Sequence, residues 1–211
     1  MTQLILGLIL FLGAHSVRIF VDDWRTRTIE ARGEKVFKGI YTLVALLGFY
    51  LLVVGYGAAR LETVALWNPP RFTKHISILL MLFSSILLVA AYIPRNHFKM
   101  RLRHPMVLSV KVWALSHLLA NGNLADVLLF GAFLIWAVLN FRSARARDRA
   151  MNLNAAQDTT QDPAGLPHDE SESKNQAKLL STVITLVGGI AIWALITFVL
   201  HAKLVGVSPM G

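Results

Sequence analysis

The stretch FKGIYTLVALLGFYLLVVGYGA, Phe37–Ala58, decides the fold. It carries one charge, Lys38, at its start. A bilayer core about 30 Å thick is crossed by roughly 20 apolar residues of helix, so this segment is long enough to span. Backbone polar groups find no water in lipid, which leaves helices and closed barrels as spanning structures. The segment shows none of the ten-residue alternation of a barrel strand, so it reads as a helix. Five further apolar stretches accompany it: Leu4–Val21, Ile76–Ile93, Met106–Ala120, Leu124–Phe141 and Leu179–Leu200. The one at Met106–Ala120 is short. Together they predict an all-α, polytopic membrane bundle of about six transmembrane helices.

Composition agrees. The chain is 55% hydrophobic with a mean hydropathy of +0.55, outside the range of an ordinary soluble domain. Its net charge of +9 does not point to nucleic acid. The basic residues sit in loops beside apolar spans, the pattern of membrane orientation and anionic-lipid contact. There are no cysteines, which excludes disulfides, thiolate metal sites and cysteine nucleophiles. The first stretch lacks the basic start and small-residue cleavage site of a signal peptide and reads as a retained span.

Basic residues alternate between loops. The first, third and fifth loops (Asp22–Val36, Pro94–Pro105 and Arg142–Lys178) hold fourteen Lys and Arg, against four in the second and fourth loops and the tail. The positive-inside rule then places both termini outside and the three basic loops in the cytoplasm. Asn121-Gly122-Asn123 reads as a tight reversal between two antiparallel helices. Residues 1–143 form the membrane domain of helices 1–5. Residues 144–177 are polar and lack a helical stripe after Leu153, which predicts a disordered cytoplasmic linker whose basic start extends helix 5. Residues 178–211 hold the sixth helix and a short tail.

Ionisable groups inside spans are costly and are therefore candidate functional residues. In GAHSVRIFVDD, His15, Arg18 and Asp22 lie on one helical stripe. His15 is within the apolar run, and Arg18 can snorkel to the surface. This suits a metal or haem ligand beside a cation, or a histidine bonded to a neighbouring helix. In RLRHPMVLSVKVWALSHLLANGN, His117 lies deep in the span with Trp113 and Asn121 on its face, and Lys111 lies off that face. Neutral imidazole is a usual ligand for iron and zinc, and a second intramembrane histidine makes a shared haem or metal a reasonable expectation. Arg103-His104-Pro105 opens the fourth helix and suits phosphate or carboxylate, or simply orienting charge with a helix-start proline. The other histidines (His75, His97, His168 and His201) lie at ends or in loops. No HExxH signature or glycine-rich phosphate loop is present.

LGLILFLGAHSVRIF at Leu6–Phe20 and RHPMVLSVKVWALSHLLANG at Arg103–Gly122 resemble the NnrU family of bacterial membrane proteins. The six-helix layout extends the resemblance over nearly the whole chain, apart from the linker after Arg142. The resemblance implies a role linked to nitrite and nitric oxide reduction in denitrification, in the bacterial inner membrane. The family is similar to the zeta-carotene isomerases of plants and cyanobacteria, which use haem b. What this implies here is haem b ligated by His15 and His117, with Trp113 four residues before His117, and Arg18 or Lys111 toward the propionates. The isomerases' cysteine three residues before the second histidine is Ala114 here. Arg103-His104-Pro105 also resembles a segment of isoprenylcysteine methyltransferases, which implies S-adenosylmethionine as an alternative cofactor, with Arg103, His104 and Asn121 as the alternative site. Partners expected are the lipid bilayer, an apolar substrate, or respiratory and denitrification membrane proteins that a non-enzymatic assembly factor would join through Arg142–Lys178.

Depth complicates the haem expectation. His15 lies six residues before Val21 and His117 twelve after Pro105, a mismatch of about 9 Å at 1.5 Å per residue. Tilt absorbs only part of it.

Overall fold

The computed structural model describes residues 1–62, 64–161 and 178–209. Its helices are α1 (Thr2–Phe20), α2 (Asp22–Arg32), α3 (Glu34–Ala59), α4 (Arg71–Tyr92), α5 (His97–Leu102), α6 (Pro105–Ala120), α7 (Leu124–Gln161), α8 (Leu179–Leu195) and α9 (His201–Val205). A π-helical turn, Ile196–Leu200, joins the last two. Among the described residues the one β-type pairing is an isolated bridge between Ala65 and Asn123. Five helical segments are long and apolar enough to cross a bilayer: Thr2–Phe20, Glu34–Ala59, Arg71–Tyr92, Leu124–Asn154 and Leu179–Val205. The expected fourth span, Pro105–Ala120, is apolar but shorter. The chain is therefore an all-α polytopic membrane protein.

Two stretches read as non-helical are helical. The first basic loop contains α2, which starts with Asp22 and Asp23, favourable at a helix N-terminus, and stops at Gly33 with φ of 84°. The expected linker also begins late. α7 continues through Gln161, because Ala, Arg, Met and Gln favour helix even without an apolar stripe. Residues 162–177 of that linker lie outside the described residues.

The chain divides into two compact units. In the first (Met1–Ser77 and Ala114–Asn140), α1 packs antiparallel on α3. The pairs Gly7–Leu52, Phe11–Gly48 and Leu4–Gly55 share one register. A Cβ on Gly7 or Gly48 would stand 2.6 Å from opposing backbone nitrogens, and one on Gly55 would strike Leu4. Lipid is as apolar as leucine, so helices associate in it through such close packing rather than through burial from water. Near the end of this pair, residues 64–67 lie over the reversal at 121–123. Leu66 N–H and Trp67 N–H donate to Gly122 O, and Leu124 N–H donates to Val64 O. The Ser77 hydroxyl donates to Ser116 O at 2.7 Å, joining α4 to α6.

In the second unit (Ile78–Trp113 and Phe141–Gly211), Ser84 and Ser109 donate to each other's carbonyls at 3.0 and 2.8 Å. Gly189 lets α8 approach the backbone of Ile86, and Trp193 Nε1–H donates to Ile78 O. Asn96, fully buried, ties the end of α4 to the start of α5. Its amide donates to Ala90 O and Ile93 O, and its oxygen accepts from Lys99 N–H.

Gly48→Leu is expected to force α1 from α3 and to destabilise the protein by at least ~1–3 kcal/mol. Gly57→Leu, where an added Cβ meets nothing within 4 Å, is expected to be neutral. Thermal unfolding of both variants in detergent checks the contrast.

Candidate intramembrane histidine site

His15 is held by its own helix. Its Nδ1 lies 2.7 Å from Phe11 O. A carbonyl only accepts, so this contact needs a proton on Nδ1, and in the neutral ring that tautomer puts the lone pair on Nε2. The imidazole lies 4.3 Å from the Phe11 ring, 5.4 Å from Tyr41 and 6.1 Å from Trp136, the last edge-on at 87°. Phe11 in turn meets Phe49 and Phe133. Three helices thus build an aromatic box around one imidazole. Trp136 Nε1 is buried there and has no hydrogen-bond partner.

His117 has a different seat. It stacks on Phe130 at 4.5 Å and 27°, and its Nδ1 lies 3.2 Å from the Ser116 hydroxyl. Phe130 meets Tyr56 edge-on. The Tyr56 hydroxyl donates to Asp126 Oδ1 at 2.5 Å, and Asn123 N–H donates to Oδ2 at 3.3 Å. Asp126 therefore closes the start of α7 as the acidic member of a capping box, where the helix dipole favours a negative charge. The Arg60 guanidinium lies 5.5 Å over the Tyr56 ring.

Two helices serve as rulers between these seats. On α7, His15 meets Trp136 and His117 meets Phe130, six residues or about 9 Å of rise apart. On α3, His15 meets Tyr41 while the Phe130 stack meets Tyr56, fifteen residues or about 22 Å away. The two imidazoles occupy different levels of the same unit.

The remaining expected residues divide in the same way. Arg18 is exposed, one turn beyond His15. The Asn121 side-chain amide donates to His117 O, and the Asn121 backbone carbonyl accepts from Trp67 Nε1–H, so this residue closes the end of α6. Arg103, His104, Lys111 and Trp113 belong to the second unit. There His104 Nε2 lies 3.0 Å and Arg103 3.7 Å from Asp148. Lys111 Nζ stands 4.6 Å over the Phe141 ring, which His104 meets edge-on. Arg103 has φ of 62° and ψ of −44°, with His104 N–H donating to Leu102 O at 2.7 Å. That is a γ-turn of the strained, positive-φ kind.

Sequence reading misses Trp136, Tyr56 and Asp148. Trp136 lies in an apolar run where a tryptophan reads as packing. Tyr56 and Asp126 are seventy positions apart, and no spacing rule links them. Among the described residues no group of three or more His, Asp or Glu is placed to hold a metal ion.

A helical bundle with five bilayer-length apolar helices and a histidine among aromatic rings defines an integral membrane protein with a candidate ligand site inside its spans. Residues 3–209 match the NnrU protein family, and the chain belongs to it. The matched region includes the linker after Arg142, the one part of the chain that the sequence resemblance leaves out. No curated protein and no solved structure matches the chain.

Tyr56→Phe leaves a buried carboxylate short of one donor and is expected to cost ~1–3 kcal/mol. Adding Asp126→Leu is expected to recover part of that loss, because the pair is coupled. A double-mutant cycle of unfolding midpoints in detergent checks the coupling.

Proposed function

We propose that this chain is a multi-pass protein of the bacterial inner membrane that holds haem b on His15. The observation that carries the reading is the state of that imidazole. With Nδ1–H bonded to Phe11 O, Nε2 is the nitrogen left for iron, the arrangement that outer-shell hydrogen bonds give ligating histidines. The aromatic walls exclude water and suit a flat macrocycle. His117 does not fit as a second ligand from its present seat, because the two levels described above are too far apart for imidazoles each about 2 Å from one metal. Haem, when bound, supplies redox and axial-ligand chemistry. This chain's residues orient the ligand, keep the site dry and place Arg18 one turn nearer the surface. Membership of the NnrU family supports a role linked to denitrification and nitric oxide metabolism. An apolar polyene as an isomerase substrate belongs to the same proposal.

The visible spectrum of protein purified in mild detergent tests it. Wild type and His117→Ala are expected to show a Soret band after haem supplementation, and His15→Ala to lose it. A band that survives His15→Ala, or none in wild type, contradicts the reading.

A second reading has one specific observation behind it. The strained turn at Arg103 and the adjoining His104–Asp148 pair favour a polar ligand there, with S-adenosylmethionine as the expected occupant. The non-enzymatic assembly role falls largely on residues outside those described.

The orientation we propose has both termini outside. The chain has no cysteine, so single cysteines report cleanly. In inside-out vesicles, Thr26→Cys and Met151→Cys are expected to react with an impermeant maleimide, and Thr2→Cys and Ser208→Cys to stay protected. The reverse pattern inverts the topology.

A further inference from the structure

The His104–Asp148 corner of the second unit holds more positive charge than its own carboxylate can answer. His104 Nε2 lies 3.0 Å from Asp148 Oδ2, and Arg103 Nη1 lies 3.7 Å from the same oxygen. Seven residues further along α6, Lys111 Nζ stands 4.6 Å over the ring of Phe141, which is seven residues back along α7 from Asp148. The two contacts keep one antiparallel register. His104 and Lys111 therefore lie on one stripe of α6, and Phe141, Arg145 and Asp148 on one stripe of α7. His104 also meets the Phe141 ring edge-on, and Arg145 acts on the Asp148 carboxylate through space. Three cations, Arg103, Lys111 and Arg145, thus share one acid.

Two details go beyond orienting charge. Among the described residues the Lys111 ammonium makes no hydrogen bond and no ion pair; its neighbour is the ring. A cation in an apolar helix without an anion is costly, and a ring face offsets only part of that cost. The second detail is the backbone of Arg103, whose φ of 62° suits glycine better than arginine. Strain of this kind is found at ligand clamps. Asp148 engages a single nitrogen of the half-exposed guanidinium, so the rest of the fork is left for another acceptor.

We infer that this corner is a headgroup site for one anionic phospholipid. The phosphate takes the open donors of Arg103, and its charge answers the Lys111 ammonium, which leans back toward the start of α6. Guanidinium forks match phosphate oxygens. Phe141 is the last apolar residue before Arg142, so the cluster lies where hydrocarbon meets charge, the level of lipid phosphates. Basic pockets between transmembrane helices at that level bind acidic headgroups. A zwitterionic head would bring a cation of its own, which the surplus of arginine and lysine disfavours. The lipid and the S-adenosylmethionine of the second reading would compete for this place, and the test separates them.

The test is native mass spectrometry of the full chain, released from detergent after incubation with dioleoyl-phosphatidylglycerol and dioleoyl-phosphatidylcholine at equal concentration. One phosphatidylglycerol is expected to stay bound in preference to phosphatidylcholine. Arg103→Gly and Lys111→Met are each expected to weaken its binding roughly fivefold. Arg27→Gln, which removes an exposed cation of α2, is expected to leave it unchanged. Arg103→Gly also relieves the backbone, so it is expected to unfold no earlier than wild type on heating, which separates lost binding from a lost fold. Equal retention of the two lipids overturns the proposal. So does an equal loss in all three variants, which is the diffuse attraction of basic loops. Displacement of the lipid by inorganic phosphate or by S-adenosylhomocysteine gives the place to a soluble ligand and overturns it as well.

Discussion

The close contact of α1 with α3 is the constraint on which the site depends. Without Gly7, Gly48 and Gly55 the two backbones cannot approach, and His15 cannot reach Tyr41, nor Phe11 reach Phe49. In lipid the gain is packing and the release of chains rather than desolvation. A seam with no side chain at its crossing points therefore does what a leucine layer does in water. Gly13, Gly39 and Gly57 lie in open space, so it is position, not glycine content, that matters.

Several polar groups inside the spans are matched within the protein. The serines donate to carbonyls across helix pairs. Asn96 uses both ends of its amide, and Asp126 takes a tyrosine hydroxyl and a backbone amide. Against that background the Trp136 Nε1–H, buried without a hydrogen-bond partner, stands out among the described residues of the spans.

Much of the fold was legible in the sequence. Apolar length located the five bilayer-length helices and the shorter Pro105–Ala120, and Asn121-Gly122-Asn123 marked the reversal between α6 and α7. The misses have physical causes. Helix propensity does not require amphipathicity, so α2 and the far end of α7 were read as loop and linker. The site was half legible. His15 was visible because an imidazole in hydrocarbon is unusual. The depth offset of His117 was visible in residue counts, and the levels of Trp136 and Phe130 on α7 give an offset of the same size, about 9 Å. Trp136 was not visible, because a missing partner has no sequence signature. Nor was the tie between Arg103, His104 and Asp148, since it joins residues more than forty positions apart.

Haem ligation by His15, as proposed, requires the ring proton on Nδ1 and a free Nε2. Solid-state nitrogen-15 NMR of histidine-labelled protein in lipid, before haem is added and with the His15 resonances assigned by comparison with His15→Gln, reads this directly. The account predicts a protonated, pyrrole-type Nδ1 and an unprotonated, pyridine-type Nε2. A proton on Nε2, or a doubly protonated ring, would contradict it.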